Sequence, residues 1–216
     1  MKHIRPTLLQ VLVHAGGIIP LVILAFQYYS NDLGANPILE LEHRTGRLAL
    51  LFLVLSLACT PLSIVSGSKE PIKRRKALGL YGALYAFTHF AIFVSLDYGF
   101  DPGLIFAELT RRPLIIVGAV ALLILIPLTI TSTKFWFQKL GPNWKRLHRL
   151  VYILSPLVII HYFMVVKGNL FRLQGNYQQP MIYAGLVIIL LILRIPAVKN
   201  VFLRKINPDN DSPENS

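Results

Sequence analysis

Cysteine is nearly missing from this 216-residue chain: Cys59 is the only one. That excludes an intrachain disulfide and any cysteine-based metal cluster, and its apolar surroundings make it a packing residue. Charge is scarce as well, at 15% of the sequence against about a quarter in soluble domains, while 54% is hydrophobic and the mean hydropathy is +0.57. The acidic sign is the scarcer one, with 10 Asp and Glu against 22 Lys and Arg and a net charge of +12. The basic residues do not form a nucleic-acid patch; they fall in short clusters between apolar runs, as in cytoplasmic loops of membrane proteins. Alternation of apolar and polar residues is absent, which argues against a transmembrane barrel. No clear repeat relates residues 1–100 to 101–200, a feature that a small transporter would usually show.

What is present is a set of apolar runs long enough to cross a bilayer. They predict an all-α, polytopic membrane bundle of about six helices: Leu8–Tyr29, about Leu48–Val65, about Ala77–Leu96, Leu114–Ile130, about His148–Val166 and about Pro180–Val198. Lys2 and Arg5 precede the first run as in a signal peptide, but the run is too long and no small-residue cleavage site follows, so it reads as a retained helix. With the N-terminus inside, 16 of the basic residues fall on cytoplasmic segments, and only Arg44, Arg47, Arg111, Arg112, Lys167 and Arg172 fall outside. Both termini are therefore expected in the cytoplasm, with a multi-pass domain over 1–206. The polar, proline-containing tail 207–216 is expected to be disordered.

Three histidines stand out against this background, because an ionisable side chain at membrane depth is costly and usually marks a pathway, ligand or relay. His89 lies about 13 residues into the third span and His161 about 13 into the fifth, so the two share a level toward the outer side. His148 begins the fifth span, 13 residues and roughly 20 Å of helical rise from His161, level with the Arg74–Arg75–Lys76 cluster. A b-type haem takes axial ligands on opposite faces of its ring, and imidazole is a usual donor. His89 and His161 can supply such a pair from facing helices, as bundles do for cofactors. Interhelical hydrogen bonding is the plain alternative for both, and an interfacial cation beside Arg146 and Arg149 is the alternative for His148. His148 and His161 diverge on an ideal helix, and a kink at Pro156 is expected to bring both into the interior. Arg75 shares a helix face with His89; it either snorkels to lipid phosphates or balances a haem propionate and helps close an inner site. Phe87, Phe90, Tyr152, Tyr162 and Phe163 are expected as pocket walls, and Trp136 and Trp144 as aromatic-belt residues. His14 is read as serving either a quinone or proton path or plain interhelical bonding.

The segments DLGANPILELEHRTGRLAL at 32–50, RRKALGLYGALYAFTHF at 74–90 and LGPNWKRLHRLVYILSPLVIIHYFMVVK at 140–167 carry a resemblance over nearly the whole chain. They resemble the ferric-reductase-like transmembrane family, in particular the haem-binding membrane subunits of bacterial protein-methionine-sulfoxide reductase systems. The resemblance implies haem b, one or two per chain, with His89, His148 and His161 as the iron ligands, and a bound flavin mononucleotide. It implies an inner-membrane electron carrier fed by quinol or a cytoplasmic flavin reductase. The recipient would be a separate periplasmic molybdenum-cofactor subunit that repairs methionine sulfoxide in proteins. Larger members of the superfamily carry a fourth ligand histidine, where this chain has Arg75, and a cytoplasmic flavin domain that this sequence does not contain. The expectation is an oxidoreductase subunit whose sulfoxide-reducing site lies elsewhere; the alternative is a small histidine-containing transporter or proton-pathway protein without haem.

Overall fold

The computed structural model describes residues 7–166 and 177–195, and among them every regular element is a helix. In chain order these are α1 (Leu8–Tyr29), α2 (Pro37–Ser66), α3 (Glu70–Ile92) with a π-helical turn at Phe93–Asp97, α4 (Pro102–Arg111), α5 (Pro113–Ile130), α6 (Lys134–Leu140), α7 (Pro142–His148), α8 (Val151–Val165) and α9 (Gln178–Ile192). Five segments are long and apolar enough to cross a membrane: α1, α2, α3 with its π turn, α5, and α7 taken together with α8. The shorter apolar α9 accompanies them. The chain is a multi-pass helical bundle. The tail 207–216, the terminal basic residues, Lys167 and Arg172 lie outside the described residues.

The expected spans recur with informative differences. The first is α1 as read. The second helix begins eleven residues before its apolar run, because Asn36 caps it through Oδ1 to the Leu39 amide at 3.1 Å and Pro37 takes the first helical position. Its polar first turns are held by Arg44, whose Nε donates to Glu40 one turn back at 2.6 Å. Gly67, at φ +65°, closes α2 in the left-handed conformation that glycine adopts without strain. The fifth span is not one helix. It breaks at Arg149–Leu150, where tight i→i−3 bonds such as Leu150 N–H to Leu147 O at 3.0 Å interrupt the ladder. His148 therefore ends α7 and His161 belongs to α8. Pro156, where a kink was expected to bring both histidines into the interior, lies inside the continuous α8, and the chain breaks six residues earlier.

Central α2 packs against α1, α3, α8 and α9. Leu50, Val54 and Leu57 meet Ile159 on α8 and Val187 and Leu190 on α9. Phe52 and Cys59 meet Val13 on α1 and Leu78 and Tyr85 on α3. In lipid, helix association depends on close packing and interhelical polar contacts more than on apolar burial. Gly82 supplies the first, since a Cβ there would stand 3.3 Å from Ala49 O and Leu53 N of α2. Tyr85 supplies the second: it stacks on Phe52 at 5.5 Å and donates its hydroxyl to Gly17 O of α1 at 2.9 Å. The α5–α8 hairpin forms the other side of the bundle through Ala121, Leu128 and Leu154. The start of α2, the end of α3, the start of α5 and the end of α8 thus come to one end of the molecule.

Candidate functional site

At that end the imidazoles of His89 and His161 face one another, ring centres 6.3 Å apart and planes at 82°. Each ring is fixed through Nδ1 to a main-chain carbonyl of the neighbouring helix: His89 to Glu42 O at 2.9 Å, His161 to Leu114 O at 2.8 Å. A carbonyl can only accept, so each Nδ1 must carry the proton. In a neutral imidazole that leaves the lone pair on Nε2. Metal-bound histidines are oriented this way, the distal N–H given to a carbonyl or carboxylate that holds the ring and raises its basicity. Metal–imidazole bonds of about 2 Å on either side of one ion place ring centres roughly 6 Å apart. The donor type, tautomers and spacing fit a haem iron held between two axial imidazoles.

Glycines lie beside both rings. A Cβ on Gly46 of α2 would be 3.5 Å from His89 Nδ1, and one on Gly118 of α5 would be 2.8 Å from His161 Cε1. The Thr45–Gly46–Arg47 tripeptide then has a local account. Thr45 is buried and returns its hydroxyl to Leu41 O at 2.7 Å, Gly46 lies against His89, and Arg47 reaches Glu40 at 3.9 Å.

His148 lies at the opposite end in a different setting. Its ring stacks on Trp144, centres 3.9 Å apart and planes at 25°, and its Nε2 is 3.1 Å from Thr131 Oγ1. Thr131 donates its own hydroxyl to Pro127 O at 2.6 Å, so Nε2–H of His148 is the donor and Nδ1 keeps the lone pair. Trp144 also ties this corner to the end of α5 by donating Nε1–H to Thr131 O at 2.8 Å. Arg75 is half-buried within electrostatic reach of His148 and Arg194 and takes part in none of the ion pairs among the described residues. The structure thus joins His89 with His161 and leaves His148 and Arg75 together at the other end.

Two contributors were not expected from sequence. Trp144, assigned to the aromatic belt, is the stacking partner of His148, and its position four residues earlier on α7 was the available signal. Arg194, one of the 16 basic residues counted as cytoplasmic, folds back onto the bundle and donates to Leu57 O at 2.7 Å and to the Tyr152 hydroxyl at 3.3 Å. Four of the expected wall aromatics have contacts of their own or lie open: Tyr162 donates to Gln179 at 3.0 Å, Phe163 stacks on Tyr177, Tyr152 lies under Arg194, and Phe90 is exposed. His14 bonds Tyr81 through Nδ1 at 2.9 Å, the plain interhelical contact among its two readings.

Residues 45–159 match the family described as ferric reductase like transmembrane component. The chain is 40% identical over 190 residues to the protein-methionine-sulfoxide reductase heme-binding subunit MsrQ of Xanthomonas euvesicatoria pv. vesicatoria, covering 85% of this chain and 84% of that one. It is 38% identical over 197 residues to the protein of the same name from Rhodospirillum rubrum, covering 90% of this chain and 91% of that one. No solved structure matches the chain.

Proposed function

This chain belongs to the ferric-reductase-like transmembrane family, and we propose that it is a b-type cytochrome membrane subunit that carries electrons to a separate reductase of protein methionine sulfoxide. The observation that carries the reading is the pair His89 and His161, each with Nδ1–H committed to a carbonyl and Nε2 left as donor, 6.3 Å apart. In the proposal these two hold the iron of one haem. His148 is assigned to a second site near the opposite face, with Arg75 as its charge partner. A haem bound in such a site supplies reversible one-electron chemistry, tuned by ligand and burial. The chain's own residues do the rest: the carbonyls of Glu42 and Leu114 set the ligand tautomers, and the apolar helices keep water from the rings.

The orientation follows the charge asymmetry, with the pair toward the outside of a bacterial inner membrane and both termini in the cytoplasm. Lys69, Lys73, Lys134, Lys139, Lys145 and Arg146 support it, because they belong to the helix ends and turns at the His148 end of the bundle. Electrons would enter there from quinol or a cytoplasmic flavin reductase and leave for a periplasmic molybdenum-cofactor partner. FMN is included on the family resemblance alone, and no residue is assigned to it. The domain is taken as 1–206, with 207–216 a polar tail.

Protein purified from haem-replete cells is expected to be red, with a Soret band that shifts on reduction with dithionite and on reoxidation. Colourless protein from such cells would reject the cytochrome and favour a transporter or proton pathway.

A further inference from the structure

The two seats of the histidine pair are copies of one another. His89 and His161, their acceptors Glu42 O and Leu114 O, and the adjacent glycines Gly46 and Gly118 are each separated by the same 72 positions. The surrounding sequence repeats at that offset. Gly46–Arg–Leu–Ala–Leu–Leu–Phe–Leu53 aligns with Gly118–Ala–Val–Ala–Leu–Leu–Ile–Leu125, and Lys73–Arg74 with Lys145–Arg146. Hairpin α2–α3 and hairpin α5–α8 thus follow one pattern, with the two imidazoles meeting between them. Comparing residues 1–100 with 101–200 misses the repeat, because its unit is 72 residues long and starts after α1.

We propose that Gly46 and Gly118 are positioning residues for the two imidazoles. In each seat the glycine lies one helical turn after the carbonyl that takes the Nδ1 proton, on the same helix face. A side chain there would stand between that helix and the ring. The inference rests on the ligation proposed above and adds an asymmetry to it. At Gly118 a methyl group would be 2.8 Å from His161 Cε1, closer than real Cβ contacts allow, and 3.1 Å from Nδ1, so the ring must shift from its seat against the Leu114 carbonyl. At Gly46 the same group would be 3.5 Å from His89 Nδ1, an ordinary contact. Gly118 is therefore strict, and Gly46 tolerates one carbon but not a branched chain. If His89 and His161 hold one haem, their ring planes at 82° would add a spectroscopic signature, a strongly anisotropic low-spin ferric resonance.

The test uses haem-loaded full-length protein and five variants, read by haem per chain, midpoint potential and ferric electron paramagnetic resonance, with circular dichroism reporting helix content. Gly118→Ala is expected to lose most of the haem of the pair, or to retain it with a shifted potential and reduced anisotropy. Gly46→Ala should keep the parental spectrum, while Gly46→Leu should behave as Gly118→Ala does. Gly185→Ala, where a Cβ meets nothing within 4 Å, should match the parent. Parental spectra and potentials in both Gly118→Ala and Gly46→Leu would overturn the proposal, as would an equal loss in Gly185→Ala. If Gly118→Ala is recovered without native helix content, the contrast between Gly46→Ala and Gly46→Leu decides. Full haem in His161→Ala would instead reject the ligation itself; an empty His161→Ala beside normal Gly118→Ala and Gly46→Leu rejects only the glycine seats.

Discussion

At one end of the bundle two histidines are held by backbone, and at the other a single histidine is held by side chains. His89 and His161 give Nδ1–H to carbonyls, which cannot reciprocate, so the tautomer is imposed and the lone pair is on Nε2. His148 gives Nε2–H to Thr131, whose own proton is spent on Pro127 O, and the free lone pair is on Nδ1. Charge separates the ends too. Arg44 and Arg112 are neutralised by Glu40 and Glu108 at 2.6 Å near the pair, whereas Arg75 and Arg194 near His148 have no carboxylate partner among the described residues. Two hairpins of common pattern therefore give a symmetric, nearly neutral seat at one level and an asymmetric, cationic one at the other. In the repeat the counterpart of His148 is Lys76, which is exposed, so the symmetry stops before it can supply a second inner imidazole.

The comparison is broken most directly by emptying one seat. If His89 and His161 hold a haem as proposed, His89→Ala and His161→Ala should each abolish it, because each removes one of its two imidazole ligands. His148→Ala should leave that haem in place. Haem content by pyridine haemochrome and the Soret maximum measure both arms. A full complement with an unchanged spectrum in both single variants of the pair would sink the assignment.

A second set sharpens the inner end. If His148 is a ligand oriented by Thr131, then Thr131→Val should weaken inner haem binding by about 10–100-fold, the usual loss when an orienting partner is removed. Arg75→Ala removes a nearby cation. Ferric iron carries the greater positive charge, so relieving that repulsion favours the oxidised form and the inner midpoint potential should fall. Unaltered haem stoichiometry and potentials in Thr131→Val, Arg75→Ala and His148→Ala together would identify a one-haem protein.

These contrasts were unequally legible in the sequence. The membrane class and the limits of α1 follow from apolar length, and the pairing of His89 with His161 follows from equal depth on helices running the same way. The early start of α2 was hidden because residues 37–47 are too polar to read as a span, although Asn36–Pro37 is a helix-start signature. The break at Arg149–Leu150 was not legible, since neither residue is a helix breaker. Pro156 was the visible breaker and lies inside α8 without ending it. The acceptors of the pair were hidden for a more general reason. A main-chain carbonyl has no side-chain signature, and only the glycine one turn later betrays it.

The smallest expected effect concerns the partner surface, which belongs to the end that carries the pair. Residues 31–42 and 97–108 hold all six acidic residues of the segments proposed to lie outside, beside Arg44, Arg47, Arg111 and Arg112. Mixed charge of this kind steers a soluble partner without demanding a large apolar interface. Electron-transfer encounters commonly bury less than about 1,200 Å², so docking should be weak and salt-sensitive. Surface ion pairs such as Glu40–Arg44 and Glu108–Arg112 are worth about 0–1 kcal/mol, so reversing Glu40 or Glu108 to Lys should slow transfer by a factor of about five or less. The rate is read as reoxidation of dithionite-reduced haem in membranes by the periplasmic reductase over a range of ionic strength, with the haem spectrum as control. Lys139→Glu, at the opposite end, should leave that rate unchanged. If delivery to the reductase responds only to the opposite end, both the orientation and the direction of electron flow proposed for this chain are wrong.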